Sequence, residues 1–284
     1  MLDVVIIGAG PGGLSAAARC ATLGLDYLLL EASPNLAKTI YDYQKNKPVM
    51  AEPSILPLRS DIAFEAGKRE EILAAWQDGV ASLKVKVRHN ARVTSVSGSR
   101  GDFSVGISSD QSDEIINAKH IVLAIGLQGN PRQLGVPGEQ AETVQYTLVD
   151  ASEFTGEKIV VVGAGDAAIE NAIALSAQND VVIVNRRDEF ARAKDGNLKL
   201  IRDAIASGKI ECFYNANAKE ITRVGTESPF TFTLKTPDGP EDITCHRIIA
   251  RLGAIAPRGF LESFGVTFPN NTPDAIPVLS ESYE

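Results

Sequence analysis

The stretch "VVIIGAGPGGLSAAARCATLGLDYLLLEA", residues 4–32, predicts a strand, a glycine-rich turn, a helix and a second strand. A second stretch of the same kind, "VVVGAGDAAIENAIALSAQNDVVIVNRR", occupies residues 160–187. The strands in both are unbroken apolar runs, which is typical of parallel strands buried on both faces. We therefore predict an α/β fold that contains this unit twice.

Length and charge restrict the class of protein. A chain of 284 residues is long enough for two domains with a core each. The net charge of -8 argues against a general affinity for nucleic acid or anionic membranes. No apolar run approaches the roughly 20 residues that span a bilayer, and the first run reaches Gly8 without a basic flank. We expect a cytoplasmic protein with no membrane span and no nucleic-acid partner.

The three cysteines, Cys20, Cys212 and Cys245, lie far apart in the sequence. They form neither a CxxC motif nor a zinc-ligand spacing. We expect reduced, partly buried thiols and no metal site.

The domain boundaries are predicted from two crossings. The Pro/Gly-rich "GNPRQLGVPGE" at residues 129–139 indicates the connection from the first domain into a second. The stretch "RIIARLGAIAP" at 247–257 indicates the connection back to the first domain. We place the first domain at 1–126 plus 252–284 and the second at 132–247. We also predict a helix over 68–83, a β-rich insertion at 85–107, and a buried strand "IVLAIG" at 121–126.

The long stretch 32–61 lacks a clear period and is predicted to be a loop. Its aromatic and basic residues suit contacts with a cofactor or a partner, and ordinary surface is an equal alternative. These residues are Tyr41, Tyr43, Lys45, Lys47 and Arg59.

The first glycine unit has the spacing GxGxxG, with Gly8, Gly10 and Gly13. The first glycine permits the tight turn, the second lets a pyrophosphate approach the backbone, and the third lets helix and strand pack closely. Glu31 ends the following strand, where a carboxylate accepts ribose hydroxyls. This pattern predicts a dinucleotide-binding turn.

The second unit has Gly163 and Gly165, with Ala168 as a permitted small residue at the third position. Its second strand ends in Asn185, followed by Arg186 and Arg187. Two guanidiniums offer charge-assisted contacts to a 2'-phosphate, which a carboxylate would repel. The two units are therefore predicted to hold different dinucleotides.

Several second-unit residues leave alternatives open. Arg186 and Arg187 could instead form a solvated, salt-bridged loop with Asp188 and Glu189. Arg192 and Lys194 extend the basic pocket or belong to the plain surface. Glu170 contacts the nicotinamide side or is simply a helical residue.

These motifs, "GAGPGG" with its terminal Glu, "GAGDAAIE" and "NRRDEFARAK", resemble flavoproteins with two dinucleotide-binding domains, specifically the thioredoxin reductase-like group. The resemblance covers nearly the whole chain. It implies two Rossmann-like (FAD/NAD(P)-binding) three-layer domains, the second inserted in the first, with FAD on the first, NADPH on the second, and hydride passing from nicotinamide to flavin. "IVLAIG" corresponds to the family's ATG strand, and Val93 matches the position whose backbone meets the FAD adenine.

The motifs and the resemblance together give the candidate cofactor-binding residues, with the catalytic residues left unassigned. For FAD they are Gly8, Gly10, Pro11, Gly12, Gly13, Glu31, Ala32, Val93, Ala124 and Gly126. For NADPH they are Gly163, Gly165, Asp166, Ala167, Ala168, Glu170, Asn185, Arg186, Arg187 and Arg192.

Two departures from the family pattern affect the expected function. Thioredoxin reductases carry a CxxC before the second glycine unit, where this chain has "VQYTLVDASEF" at residues 144–154. Thiol-disulfide exchange needs an accessible thiolate beside the flavin, so we do not expect it here. The family's C-terminal Gly-Asp strand, which follows a segment like "AIPVLSESYE", is also absent from the 284 residues. We therefore expect a flavin site that is poorly covered on that side.

The leading hypothesis is an FAD-dependent NADPH oxidoreductase that passes electrons to a redox partner protein or iron-sulfur domain, similar to thioredoxin reductase-like ferredoxin reductases. A homodimer is a further option. One alternative is a flavin monooxygenase, although His89 and His120 do not lie in the histidine-containing fingerprint of those enzymes. Another is a nucleotide-binding electron-transfer or regulatory subunit without turnover by itself.

Overall fold

The computed structural model describes residues 1–49, 60–109, 112–127, 129–140, 142–225, 229–272 and 275–280. The chain forms two compact units, Met1–Asn130 with Ile255–Glu284, and Pro131–Ala254. The second unit is thus inserted in the first. We call them unit 1 and unit 2.

The elements follow one another in an α/β pattern. The helices are α1 Pro11–Thr22, α2 Lys38–Tyr41, α3 Arg69–Ser82, α4 Asp166–Leu175, α5 Asp195–Ala206 and α6 Arg258–Ser263, with a 3-10 turn at Ala151–Glu153. The strands are β1 Leu2–Ile7, β2 Tyr27–Leu30, β3 Pro48–Val49, β4 Gly67–Lys68, β5 Val87–Arg88, β6 Arg92–Ser99, β7 Asp102–Ser108, β8 Asp113–Leu123, β9 Val144–Gln145, β10 Lys158–Val162, β11 Asp180–Val184, β12 Ile210–Phe213, β13 Asn217–Arg223, β14 Phe230–Thr236, β15 Gly239–Cys245 and β16 Arg247–Ala250.

Unit 1 is built on a sheet of strand order β5-β2-β1-β8-β7-β6. The strands β5, β2, β1 and β8 are parallel, whereas β7 and β6 continue the sheet as antiparallel neighbours. The strands predicted for the β-rich insertion at 85–107 are present as β5, β6 and β7, and all three belong to the main sheet. β5 pairs with β2 at one edge, and β7 pairs with β8 on the other side.

The strand predicted at "IVLAIG" is also longer and less buried than expected. β8 begins at Asp113, eight residues before the predicted start, and ends at Leu123. Leu123 is exposed, and Ile121 and Val122 are half-buried. An apolar run is thus a poor guide to the burial of single side chains, since residues 121–123 are only partly buried or exposed although they pair with β1.

The core of unit 1 lies between the sheet and the helices α1 and α3. Leu14, Ala17 and Ala18 of α1 are fully buried against the sheet, because small residues let the helix approach closely. Trp76 of α3 is 4% exposed and donates from its ring nitrogen to the carbonyl of Ala63 at 3.1 Å. Trp76 therefore belongs to the core of unit 1.

Unit 2 contains two sheets. The parallel sheet has the order β12-β11-β10-β16-β9, and a three-stranded antiparallel sheet has the order β13-β14-β15. One face of the parallel sheet packs on α4 and α5, and the other packs on the antiparallel sheet. The predicted α/β fold with parallel sheets is confirmed. In the part of the chain that the structure describes, no helix has the length and apolar character needed to cross a bilayer.

Candidate nucleotide-binding sites

The first glycine turn joins β1 to α1 and depends on two close backbone approaches. Gly8 has a φ of +100°, and a Cβ there would lie 2.6 Å from the carbonyl oxygen of Ala124. A Cβ on Gly13 would lie 1.8 Å from the carbonyl oxygen of Gly8. Both positions therefore require glycine.

The middle of the same turn is open. A Cβ on Gly10 would meet nothing within 4 Å, and Gly12 is exposed. Gly10 is the N-cap of α1, it offers no side-chain cap, and the first turn of α1 contains no acidic residue. The first amides of a helix have no partner within the helix and carry the positive end of its dipole. This end of α1 can therefore accept an anionic group such as a pyrophosphate.

Glu31 follows β2 and is buried, with 8% of its surface exposed. One carboxylate oxygen accepts the amide of Ala9 at 2.8 Å, and the other accepts the amide of Ser33 at 2.9 Å. A carboxylate offers about four acceptor positions, so each oxygen retains capacity for a further donor. The carboxylate is fixed beside the glycine turn, where it could accept the two hydroxyls of a ribose.

The remaining candidate residues of the first unit differ in their exposure and in their contact with this turn. Ala124 lies against Gly8 through its carbonyl, and its amide donates to the carbonyl of Ile7 at 2.8 Å. Ala32 is exposed next to Glu31, whereas the side chain of Val93 is buried in the sheet. Gly126 has a φ of +64°. Contacts of these residues with FAD stay predictions.

The second glycine turn joins β10 to α4 on the same plan. Gly163 has a φ of +139°, and a Cβ there would lie 2.5 Å from the carbonyl oxygen of Arg251. Gly165 is the N-cap of α4 and, like Gly10, has open space around it. Ala168 is fully buried at the third position, where its methyl group is accommodated.

Asn185 ends the second strand of unit 2 and is almost completely buried. Its side-chain oxygen accepts the amide of Arg187 at 3.0 Å, and its side-chain nitrogen donates to the carbonyl of Glu189 at 2.9 Å. Asn185 thereby shapes the loop that carries Arg186 and Arg187.

Asp166 and Glu170 connect α4 to the start of α5. One oxygen of Asp166 accepts the amide of Lys194 at 2.9 Å and the side-chain amide of Asn197 at 2.8 Å. The same Asn197 nitrogen donates to Glu170 at 3.2 Å. These two carboxylates therefore hold the far end of the basic loop. The sequence analysis missed Asn197, because nothing in the local pattern links it to residues about 30 positions earlier.

The three candidate arginines of unit 2 are exposed. Arg186 and Arg187 follow Asn185 directly, and Arg192 lies farther along the same loop. Within the described ranges, their guanidiniums make no ion pair or hydrogen bond, including with Asp188 and Glu189. The alternative of a salt-bridged loop is thus not what the structure contains. Phe190, which is buried and packs edge-on against Tyr214 at 5.9 Å, anchors the loop between them.

Part of the long loop 32–61 is engaged within unit 1. The backbone carbonyl of Tyr41 accepts from the guanidinium of Arg69, which also lies 5.3 Å from the Tyr41 ring. The ammonium of Lys47 lies 4.7 Å from the centre of the Tyr43 ring. Arg59 lies outside the described residues. These contacts fit ordinary packing of the loop.

The cysteines are unsuited to thiol exchange. Cys20, Cys212 and Cys245 are free thiols, and Cys20 and Cys245 are buried. Burial raises the pKa of the Cys20 thiol, that of Cys212 to about 11 and that of Cys245 to about 12. Among the described residues, no group of His, Cys, Asp and Glu is placed to hold a metal ion.

A cavity of about 700 Å³ in unit 2 is lined by residues of the stretch 133–154. Tyr146 and Val149 belong to its wall, together with Glu139. The hydroxyl of Tyr146 donates to the Glu139 carboxylate, and burial together with this bond raises the pKa of Tyr146 to about 12. The cavity wall thus contains both apolar and acidic groups.

The chain matches the pyridine nucleotide-disulphide oxidoreductase family over residues 5–284, and it belongs to that family. It is 34% identical over 206 residues to a ferredoxin--NADP reductase of Ignicoccus hospitalis, covering 72% of this chain and 63% of that protein. The alignment therefore spans about three fifths of the relative's length.

Solved structures give the same fold. The bacillithiol disulfide reductase Bdr of Bacillus cereus is similar with a TM-score of 0.87 and 27% identity, over 99% of this chain and 86% of that one. Thioredoxin reductase of Lactococcus lactis has a TM-score of 0.74 and 25% identity, over 94% and 82% of the two chains. The predicted resemblance to the thioredoxin reductase-like group is confirmed.

Proposed function

We propose that this protein is an FAD-dependent oxidoreductase that takes hydride from NADPH and passes electrons to a ferredoxin-type partner. The observation that carries the proposal is the difference between two turns of the same backbone plan. The strand after the first turn ends in the carboxylate of Glu31, and the strand after the second ends in Asn185 with two exposed arginines.

The residues of the first turn fit FAD. A Cβ on Gly13 would lie 1.8 Å from the carbonyl oxygen of Gly8, so glycine lets α1 lie close to β1, and the open N-terminus of α1 suits a pyrophosphate. The free acceptor capacity of Glu31 suits a ribose with both hydroxyls unmodified. FAD bound here supplies a flavin that accepts hydride and releases electrons onward. We propose that Gly8 to Gly13, Glu31, Ala32, Val93, Ala124 and Gly126 surround it.

The residues of the second turn fit NADPH. Arg186 and Arg187 are exposed and free of ion pairs within the described chain, so their donors are available to a 2'-phosphate. Asn185 brings no negative charge to that position. The amides at the start of α4 suit the pyrophosphate, as those of α1 do. We propose that Asp166, Ala168 and Glu170 shape this site from α4.

The electron acceptor is proposed from the relatives and the cysteines. A relative at 34% identity is named for ferredoxin and NADP. Disulfide reduction is the second candidate, since the similarity to the B. cereus bacillithiol disulfide reductase covers 99% of this chain. The free thiols, whose pKa values are raised, oppose it. An iron-sulfur partner needs no thiol on this chain. We further propose a cytoplasmic location, which fits free thiols, and a homodimer.

A spectroscopic titration tests this function. The purified protein, loaded with FAD, is mixed with NADPH and separately with NADH without oxygen, and the visible flavin band is followed. We expect NADPH to bleach the band at much lower concentration than NADH, and a ferredoxin to restore it faster than bacillithiol disulfide does. A protein that binds no flavin contradicts the proposal, and faster reoxidation by the disulfide would favour the second candidate.

A further inference from the structure

The first turns of α1 and α4 differ in charge. Pro11 follows the N-cap of α1, and the first turn of this helix contains no acidic residue. The corresponding residue of α4 is Asp166, which directly follows the N-cap Gly165. A carboxylate is attracted to the positive end of a helix, which is also the end that a pyrophosphate needs. Asp166 therefore competes for this end of α4 unless its carboxylate is held elsewhere.

The first amides of α4 are nevertheless free. The N-cap Gly165 provides no side-chain cap, and a Cβ on it would meet nothing within 4 Å. Within the ranges that the structure describes, the amides of Asp166 and Ala167 have no acceptor. The carboxylate of Asp166 thus does not bind the amides of its own turn.

The carboxylate of Asp166 is instead bound to the start of α5. One of its oxygens accepts the backbone amide of Lys194 at 2.9 Å and the side-chain nitrogen of Asn197 at 2.8 Å. Lys194 is the N-cap of α5, so the carboxylate lies at the positive end of a second helix. The charge of Asp166 is therefore stabilised at α5 and not at α4.

Asn197 bonds to a second carboxylate of α4 as well. The same nitrogen that donates to Asp166 also donates to Glu170 at 3.2 Å, one turn further along α4. A side-chain amide nitrogen carries two hydrogens, so it serves both acceptors at once. Like charges four residues apart on a helix repel each other. Asn197 therefore bridges two carboxylates that would otherwise separate, and it holds both on the side of α4 that faces α5.

We propose that Asn197 is a positioning residue for the nucleotide of unit 2. It holds the carboxylate of Asp166 at the start of α5, and it thereby leaves the first amides of α4 open to the pyrophosphate. Unit 1 needs no such residue, because Pro11 carries no charge. This inference rests on the proposed NADPH site of unit 2, to which it adds a residue that does not itself contact the nucleotide.

Calorimetry with two probes tests this role in the full chain loaded with FAD. NADP⁺ contains the pyrophosphate, whereas adenosine 2'-monophosphate contains only the nucleoside and the phosphate that the arginines are proposed to bind. For Asn197→Ala we expect NADP⁺ to bind about tenfold more weakly, because the released carboxylate of Asp166 turns to the amides of α4. Binding of the monophosphate should change by less than about twofold.

Removal of the carboxylate should reverse this loss. In the double variant Asp166→Ala, Asn197→Ala the competing charge is gone, so NADP⁺ should bind at least as tightly as it does to the wild type. A loss caused only by poorer packing of α5 would not be restored in this way. Lys199→Ala is the matched control, because this exposed side chain of α5 pairs with Asp203 on its own helix. It should leave both affinities as in the wild type.

Thermal unfolding checks that every variant folds. If Asn197→Ala does not, Asn197→Asp replaces it, because this change keeps the shape of the side chain and removes its donors. It should weaken NADP⁺ more than the monophosphate, and Asp166→Ala should restore most of the loss. Unchanged NADP⁺ binding, equal losses for both probes, or a loss that persists without Asp166 would each overturn the inference. A wild-type protein that does not bind NADP⁺ would instead contradict the proposed NADPH site itself.

Discussion

The two glycine turns share one packing requirement and differ in another. Gly8 and Gly163 both lie against a backbone carbonyl, at 2.6 and 2.5 Å from a would-be Cβ, and both have positive φ. At the third position unit 1 has Gly13, where a Cβ would collide with Gly8, whereas unit 2 accommodates the methyl group of Ala168. The glycines thus report how closely the helix approaches the strand. In our proposal, the residue after the next strand sets which nucleotide the turn suits.

The largest effect is expected at the third position of the glycine turn, where the two units differ. Gly13→Ala should destabilise unit 1 by about 3 kcal/mol and abolish flavin retention, because its methyl group would lie 1.8 Å from a backbone oxygen. Ala168→Gly should cost about 1 kcal/mol, since glycine is a weak helix former. Thermal unfolding and bound flavin per chain measure both.

Gly10→Ala is the matched control in the same turn. Its φ of -76° suits alanine, and a Cβ there meets nothing within 4 Å. Stability should therefore change little, while the new methyl group hinders a pyrophosphate at the backbone. Equal loss of stability in both variants would show that the close approach at Gly13 is not the cause.

The next effect concerns the arginines of unit 2. Arg186→Ala and Arg187→Ala should each weaken NADPH binding by about 1.5 to 3 kcal/mol, the value of a hydrogen bond to a charged group. Both side chains are exposed, so unfolding temperatures should stay close to that of the wild type. NADH affinity is the control, and an equal loss for NADH would contradict the assignment of the 2'-phosphate.

A smaller effect is expected at Glu31, which follows the second strand of unit 1. Glu31→Gln should weaken FAD retention by about 1 to 2 kcal/mol, because the amide keeps one acceptor oxygen for two backbone amides and a ribose. Nicotinamide nucleotide affinity should be unchanged. Flavin release on dilution measures the first, and direct titration measures the second. Loss of NADPH binding with full flavin would mean that the two sites are reversed.

Local patterns predicted an element well where the residues that define it lie close together in the sequence. The helix α3 and both glycine turns follow from apolar periodicity and glycine spacing. The same reasoning placed Glu31 and the arginine pair at the ends of their strands. Each of these depends on residues close together in the chain.

Pairings between distant segments could not be predicted in this way. Residues 85–107 have the sequence pattern of strands, but this pattern does not predict that β7 pairs with β8 and thereby joins the main sheet. Asp166 is a candidate cofactor residue from its place at a helix start, and that local pattern does not predict that its carboxylate accepts from Lys194 and Asn197, 28 and 31 residues later. Such bonds depend on how loops meet after the sheet has formed.

The smallest effect is expected when all three thiols are removed. This change tests whether either unit uses thiol chemistry. The variant Cys20→Ala, Cys212→Ala, Cys245→Ala should keep NADPH-driven reduction of ferricyanide to within about twofold, because buried thiols far from ionisation do not carry electrons. With pKa values raised to about 11 and about 12, Cys212 and Cys245 are ionised in no more than about one molecule in a thousand at pH 8. Their alkylation should therefore be slow at neutral pH and should quicken about tenfold for each pH unit, up to the limit of folding. Alkylation of the wild-type protein at pH 7 as fast as that of a free thiol would contradict this burial. A triple variant that folds and holds flavin but loses ferricyanide reduction would restore disulfide reduction as the better proposal.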